Sequence, residues 1–131
     1  MTPSMSGSAN ERFSIDSTET DGGIAVRLSG NADMIVTGHL SSYLERLHTD
    51  AMAKGMRQVT FDVRELYFLT SSCLKCIATF LSGAASVEPE RRYRVRFLAN
   101  HMLHWQRRSL EALRCVATDI IEIETDPSSA T

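Results

Sequence analysis

Three consecutive hydroxyl side chains lie in the middle of this chain, where one hydrophobic pattern gives way to another. They are Thr70, Ser71 and Ser72. A hydroxyl oxygen at the start of a helix can accept hydrogen bonds from the free backbone amides of the first turn. The same position tolerates added negative charge, because it lies at the positive end of the helix dipole. The cluster is therefore a candidate for helix capping or for phosphorylation.

Two cysteines follow the hydroxyl cluster as a Cys-x-x-Cys pair, Cys73 and Cys76. A thiol near a helix N-terminus has a lowered pKa, which keeps a thiol-redox function open as an alternative. A zinc site needs about four ligands, and no second pair at a recognisable spacing completes one, so no metal site is predicted. Cys115 makes the number of cysteines odd, which disfavours a disulfide framework. Because both members of the pair fall on an apolar stripe, buried small side chains are the favoured interpretation.

The residues on either side of the cluster predict a strand followed by a helix. Val59, Phe61 and Val63 alternate with polar residues, which is typical of a strand buried on one face. After the cluster the apolar residues recur at steps of three and four, which indicates one face of a helix. This apolar set is Cys73, Leu74, Ile77, Phe80, Leu81 and Ala84.

The same two patterns predict the remaining elements. A hairpin is expected from Phe13 to Leu28, with its turn at residues 21–23. A helix over residues 40–51 follows, with Thr37 as its N-cap. Downstream come a strand over 93–97, a helix over 103–117 and a last strand over 119–124. Repeated strand-helix-strand units imply right-handed crossovers and a mostly parallel sheet, so the fold class is α/β.

Size and charge indicate one domain without nucleic-acid affinity. The chain has 131 residues, 43% of them hydrophobic, and a net charge of −2. That length supports a single core, assigned to residues 12–124 between polar tails at 1–11 and 125–131. A nucleic-acid binder is usually clearly basic, which this chain is not. The sequence also lacks an apolar run of about 18 residues, so no membrane span is predicted. Without a signal-peptide pattern, the expected location is cytoplasmic.

The stretch from Leu66 to Leu74 resembles the signature of the STAS family, the anti-sigma factor antagonist domains. Members of that family typically carry aspartate, serine, serine or threonine, glycine and leucine after an apolar strand end. Ser71 and Ser72 match this signature, as does Leu74. Thr70 stands where aspartate is usual, and Cys73 stands where glycine is usual.

A second segment also resembles the family. Gly30 and Asp33 match its Gly-x-x-Asp element, and Thr37 matches a threonine often found a few residues later. The resemblance implies a STAS-like sheet that is mixed but mostly parallel and is covered by helices mainly on one face. It also agrees with the expectation of a protein that is not an enzyme and needs no cofactor, because no nucleotide-cradling glycine loop or acid-base pair stands out.

The resemblance implies a partner-switching function. By this resemblance, Ser71 is the serine that a partner anti-sigma factor kinase phosphorylates and that a serine phosphatase dephosphorylates. Thr70 and Ser72 are the alternative acceptors. Lys75 lies four residues after Ser71 and can pair with a phosphate there, although a solvated lysine is the simpler interpretation. A subunit of a lipid-transport ATPase complex is an alternative within the family. The predicted partner-binding residues are Asp33, Thr37, Thr70, Ser71, Ser72, Cys73 and Lys75.

Overall fold

A computed structural model describes residues 13–125 of the chain. The strands are β1 (Ser14–Thr20), β2 (Gly23–Ala32), β3 (Gln58–Leu69), β4 (Arg94–Ala99) and β5 (Ile121–Thr125). The helices are α1 (Thr37–Ala53), α2 (Ser71–Ala85) and α3 (His104–Val116), with short 3-10 turns at Met34–Val36 and Pro89–Arg91. This is the predicted element order. Of the predicted tails, residues 1–11 and 126–131 lie outside the described residues, whereas Thr125 belongs to β5.

The strands form one five-stranded sheet in the order β1-β2-β3-β4-β5. β1 pairs with β2 antiparallel, and the other neighbours are parallel. Because each right-handed crossover moves one strand further in the same direction, α1, α2 and α3 all lie on one face of the sheet. The predicted fold class is confirmed. No helix in residues 13–125 is long and apolar enough to cross a membrane.

The core lies between the sheet and the three helices. The predicted alternation in β3 places Val59, Phe61 and Val63 inside, each at most 2% exposed. The ring of Phe61 stacks on Phe97 of β4, with centroids 5.3 Å apart, and meets Phe80 of α2 edge-on at 5.6 Å. β3 is therefore joined through one side chain to both its neighbouring strand and its covering helix.

The prediction that Thr37 caps α1 is wrong. Thr37 is the first residue of that helix, and Val36 before it makes no side-chain capping bond. The 3-10 turn at Met34–Val36 runs directly into α1, so the Thr37 amide is already bonded to the Met34 carbonyl. The capping side chain instead belongs to Asp33, whose Oδ1 accepts from the Ile35 amide at 3.0 Å.

The last strand begins later than its sequence indicates. Asp119 and Ile120 form a turn in which the amides of Ile120 and Ile121 both donate to the Ala117 carbonyl, at 3.1 and 3.2 Å. These bonds close the end of α3, so pairing with β4 starts only at Ile121.

Candidate partner-binding edge

The junction between β3 and α2 is fixed by Thr70. Its amide donates to the Ala32 carbonyl at the end of β2, with the two atoms 3.0 Å apart. Its backbone is extended, and its Oγ1 accepts from the Cys73 amide at 3.3 Å, which makes Thr70 the N-cap of α2. The predicted capping role is confirmed for this residue. Threonine and aspartate both cap helices, so the replacement of the usual aspartate preserves this function.

Ser71 occupies a different environment from Thr70. It is the first residue of α2 and is exposed, whereas Ser72 is half-buried. Among residues 13–125 we find no hydrogen bond made by the hydroxyl of either serine. The Ser71 hydroxyl is thus accessible at the positive end of a helix of 15 residues, where an added phosphate is electrostatically compatible with the fold.

The side chain of Cys73 points into the protein and is 0% exposed. Its thiol donates to the Asp33 carbonyl with a sulfur–oxygen distance of 3.4 Å, and it lies 3.6 Å from the hydroxyl oxygen of Thr37. One turn later, the Cys76 thiol donates to the Thr37 carbonyl at 3.8 Å. The cysteine in place of the family's glycine therefore ties α2 to the segment after β2 and adds no side chain to the exposed surface.

The surroundings of the Cys76 thiol disfavour a reactive thiolate. Burial, with a smaller contribution from the neighbouring Cys73, raises the pKa of the Cys76 thiol, although a hydrogen bond with Ser41 opposes this rise. A reactive thiol needs the opposite shift. Both cysteines are free thiols. In the part of the chain that is described, no group of three His, Cys, Asp or Glu residues is placed to hold a metal ion.

The predicted site residues fall into one contiguous group and one outlier. Asp33 and Thr37 meet Cys73, and Thr70 connects to them through the end of β2. Lys75 lies one turn further along α2, is exposed, and lines a groove of about 420 Å³ between α1 and α2 together with Glu45. The Lys75 side chain therefore lies in the groove between the two helices, four residues after Ser71 in α2.

Exposed apolar side chains surround this junction, and the sequence did not identify them. They follow β2, end β3 and follow β4, so they lie at the edge of the sheet where the parallel strands have their carboxyl ends. We call this region, residues 33–36, 67–72 and 100–103, the carboxyl edge. Its exposed apolar side chains, with exposed fractions, are Met34 (72%), Ile35 (88%), Tyr67 (55%), Phe68 (49%) and Met102 (68%).

One sequence signal for this exposure did exist. Residues 66–69 are four consecutive apolar residues at the end of a strand that is covered on one face only. Successive side chains of a strand point to opposite faces, so not all four can be buried. Leu66 is buried, whereas Tyr67 and Phe68 are exposed.

The irregular end of β3 is held by a buried amide that the sequence also did not identify. Gln106 of α3 is 1% exposed, and its Nε2 donates to the carbonyls of Val63 at 2.5 Å and Leu66 at 3.2 Å. Its Oε1 accepts from the Asn100 amide at 2.8 Å, and the Asn100 side chain donates to the Arg64 carbonyl at 3.1 Å. These bonds position the strand end that presents Tyr67 and Phe68.

Gly30 sets the path of the neighbouring strand. Its φ of 88° lies in the left-handed region, which glycine adopts without a steric penalty. The pairing of β2 with β3 shifts register between Gly30 and Asn31. The glycine of the Gly-x-x-Asp element thus permits the irregularity that brings Asp33 to the carboxyl edge.

Comparison with known proteins bears on the fold. No protein-family model matches the chain, and no curated protein matches it. Among solved structures, it is similar to the crystal structure of an anti-sigma factor antagonist from Mycobacterium paratuberculosis, with a TM-score of 0.65 over 94% of both chains and 19% sequence identity. At 19% identity, this similarity shows a shared fold and nothing finer. The chain has the fold of an anti-sigma factor antagonist, which is the STAS fold that its element order and hydroxyl junction predicted.

Proposed function

We propose that this protein is a non-enzymatic regulatory module that binds a protein partner through the carboxyl edge, and that phosphorylation of Ser71 releases the partner. The observation that carries the proposal is the exposed Ser71 at the start of α2, beside exposed apolar side chains on the same edge of the sheet. The fold, shared with an anti-sigma factor antagonist, agrees with such a role.

The apolar side chains of the carboxyl edge support a protein partner. Ile35 and Met34 extend from the 3-10 turn after β2, and Phe68 and Tyr67 extend from the end of β3. Clustered exposed apolar side chains mark interaction surfaces in proteins of this size. Aromatic residues and methionine are also enriched at protein–protein interfaces. A partner seated here covers the hydroxyl of Ser71 as well.

The effect of phosphorylation follows from the charge that it adds. A phosphoserine carries nearly two negative charges at neutral pH. At the start of α2 that charge is favourable for the domain, and Lys75 is within reach of pairing with it. In a docked complex the same charge must be desolvated or repelled, which costs about 2–5 kcal/mol. Release of the partner with the fold intact is the expected consequence.

The chemistry of the switch is proposed to reside in the partners. An anti-sigma factor or a related serine kinase supplies the nucleotide and the catalytic groups, and a serine phosphatase reverses the modification. Asp33, Thr37 and Ser72 are proposed to contact the partner, and Thr70 and Ser72 are the alternative acceptors. The proposed setting is the cytoplasm.

A photo-crosslinking experiment tests this function. A photoreactive phenylalanine analogue replaces Phe68 in the full chain, expressed in the organism that encodes it, and crosslinked proteins are identified by mass spectrometry. We expect a kinase-like partner, captured by the Ser71→Ala variant and about tenfold less by Ser71→Asp. Phosphopeptide analysis of the chain that retains Ser71 should locate the phosphate on Ser71.

Two results would contradict the proposal. One is equal capture by the Ser71→Ala and Ser71→Asp variants. The other is capture of a transport ATPase in place of a kinase, which favours the lipid-transport alternative. A photoreactive residue at Thr118, exposed in the turn after α3, is the matched control and should capture no kinase.

A further inference from the structure

A cluster of basic side chains adjoins the carboxyl edge at the start of α3. We call it the basic cluster, and its members are His101, His104, Arg107 and Arg108. All four are exposed, and together with Glu111 they line one depression of about 670 Å³. Glu111 is the single acid in this lining, and its carboxylate lies 3.7 Å from the guanidinium of Arg114. The depression therefore has a net positive charge.

The charges of the basic cluster are not engaged within the described fold. Some other cations of the described residues have acidic partners: Arg96 pairs with Glu124, and Arg27 lies 3.8 Å from Asp62. For the cations of the basic cluster we find no ion pair within residues 13–125. Intramolecular pairing therefore does not account for their placement.

Helix electrostatics does not account for their placement either. His104 and Arg107 lie in the first turn of α3, where the helix dipole favours negative charge. That turn contains no acidic residue, and Leu103 makes no capping side-chain bond. The local arrangement is mildly unfavourable for the isolated chain, and an anionic group bound from outside reverses that effect.

The basic cluster is continuous with the apolar surface. Tyr67 and Asn100 line one depression, and Asn100, His101 and Arg107 line the next. Met102, 68% exposed, lies between two members of the cluster in the chain. A partner that covers Tyr67 and Phe68 can thus extend over the start of α3.

We infer that the basic cluster binds an acidic segment of the partner protein, in which carboxylates flank the apolar side chains that contact the carboxyl edge. This inference rests on the proposed function and adds the chemistry of its partner. Carboxylates complement the two guanidinium groups, and apolar side chains complement Met102. A peptide fits this mixture better than a nucleic acid, because the chain as a whole has a net charge of −2.

Fluorescence anisotropy with a defined probe tests the inference. The probe is a short fluorescent peptide in which glutamate and leucine alternate, and it is titrated with the full chain. The test variant is Arg107→Glu/Arg108→Glu, and the matched control is Arg46→Glu/Arg91→Glu, which changes the net charge equally at exposed arginines elsewhere. We expect the dissociation constant to rise about tenfold in the test variant and by less than about twofold in the control.

Three outcomes would overturn the inference: equal weakening in both double variants, equal binding of a peptide with glutamine in place of glutamate, or tighter binding of single-stranded RNA than of the acidic peptide. Thermal unfolding of each variant confirms that the fold is retained. Failure here leaves the Ser71-dependent crosslinking at Phe68 unaffected, so the two proposals are separable.

Discussion

At the junction of β3 and α2, the hydroxyl of Thr70 accepts a hydrogen bond from the Cys73 amide, whereas Ser71 is exposed at the first helical position. The difference follows from backbone geometry. Thr70 is extended, with φ −75° and ψ 163°, so its side-chain oxygen faces the free amides of the first helical turn. Two adjacent hydroxyls of similar chemistry therefore have separate roles, one in stability and one at the surface.

Single substitutions can measure the contribution of Thr70 to stability. We expect Thr70→Ala to lower the free energy of unfolding by about 1 kcal/mol, because it removes the side-chain cap of α2. Ser71→Ala should change it by no more than about 0.5 kcal/mol, as is usual for exposed positions. Urea denaturation of the two variants gives the comparison. Equal losses would contradict the division of roles between the two hydroxyls.

At the scale of elements, α3 holds the end of β3 in place. The buried Gln106 bonds two β3 carbonyls, and Asn100 bonds a third. The segment that these bonds secure leads directly to Tyr67, Phe68 and the hydroxyl junction. The position of the candidate surface thus depends on a helix that lies later in the chain.

Replacing the buried amide tests this dependence. Gln106→Leu leaves the carbonyls of Val63 and Leu66 without their amide partner, and we expect the free energy of unfolding to fall by roughly 2–4 kcal/mol. The control is Arg108→Leu, at an exposed position of the same helix, where a change within about 0.5 kcal/mol is expected. Chemical denaturation measures both. An unchanged stability in Gln106→Leu would show that these bonds do not hold the strand.

At the scale of the whole molecule, the face of the sheet without helices carries charged side chains. Asp62 of β3 lies there between Arg64 and Arg27, with its Oδ2 2.9 and 3.8 Å from their nitrogens. Partial burial by itself raises the pKa of this carboxyl. Hydrogen bonds from the Arg64 side chain and amide, with the charges of both arginines, outweigh that effect and hold the pKa below its usual value.

A defined dependence of stability on pH follows. A carboxyl whose pKa is lower in the folded state stabilises the fold above its unfolded pKa of about 3.9, and the stabilisation is lost as the pH falls through the folded value. We expect Asp62→Asn to be less stable than the original chain by about 1 kcal/mol at pH 7, because both pairs are partly exposed. Denaturation at several pH values should show this difference shrinking below about pH 4. A difference in stability that persists at lower pH would contradict a lowered pKa of the Asp62 carboxyl in the folded state.

The sequence by itself determined the order and type of the elements. Alternation at Val59, Phe61 and Val63 has the two-residue period of a strand, and the stripe from Cys73 to Ala84 has the period of a helix. Both patterns are local, because each element must bury one face whatever packs against it. The hydroxyl at the change of period was correctly identified as a cap for the same reason, since a helix start always leaves amides to be satisfied.

Only the tertiary structure decided which residues form the surface and which support it. The inward side chain of Cys73, the buried bonds of Gln106 and the exposure of Ile35 and Phe68 all depend on contacts between segments far apart in the sequence. Thr37 shows the same limit. It was predicted as the N-cap of α1, but the preceding 3-10 turn already provides a hydrogen bond to its amide. Periodicity describes how one element buries its face, whereas a site at the edge of a sheet is assembled from the ends of several elements.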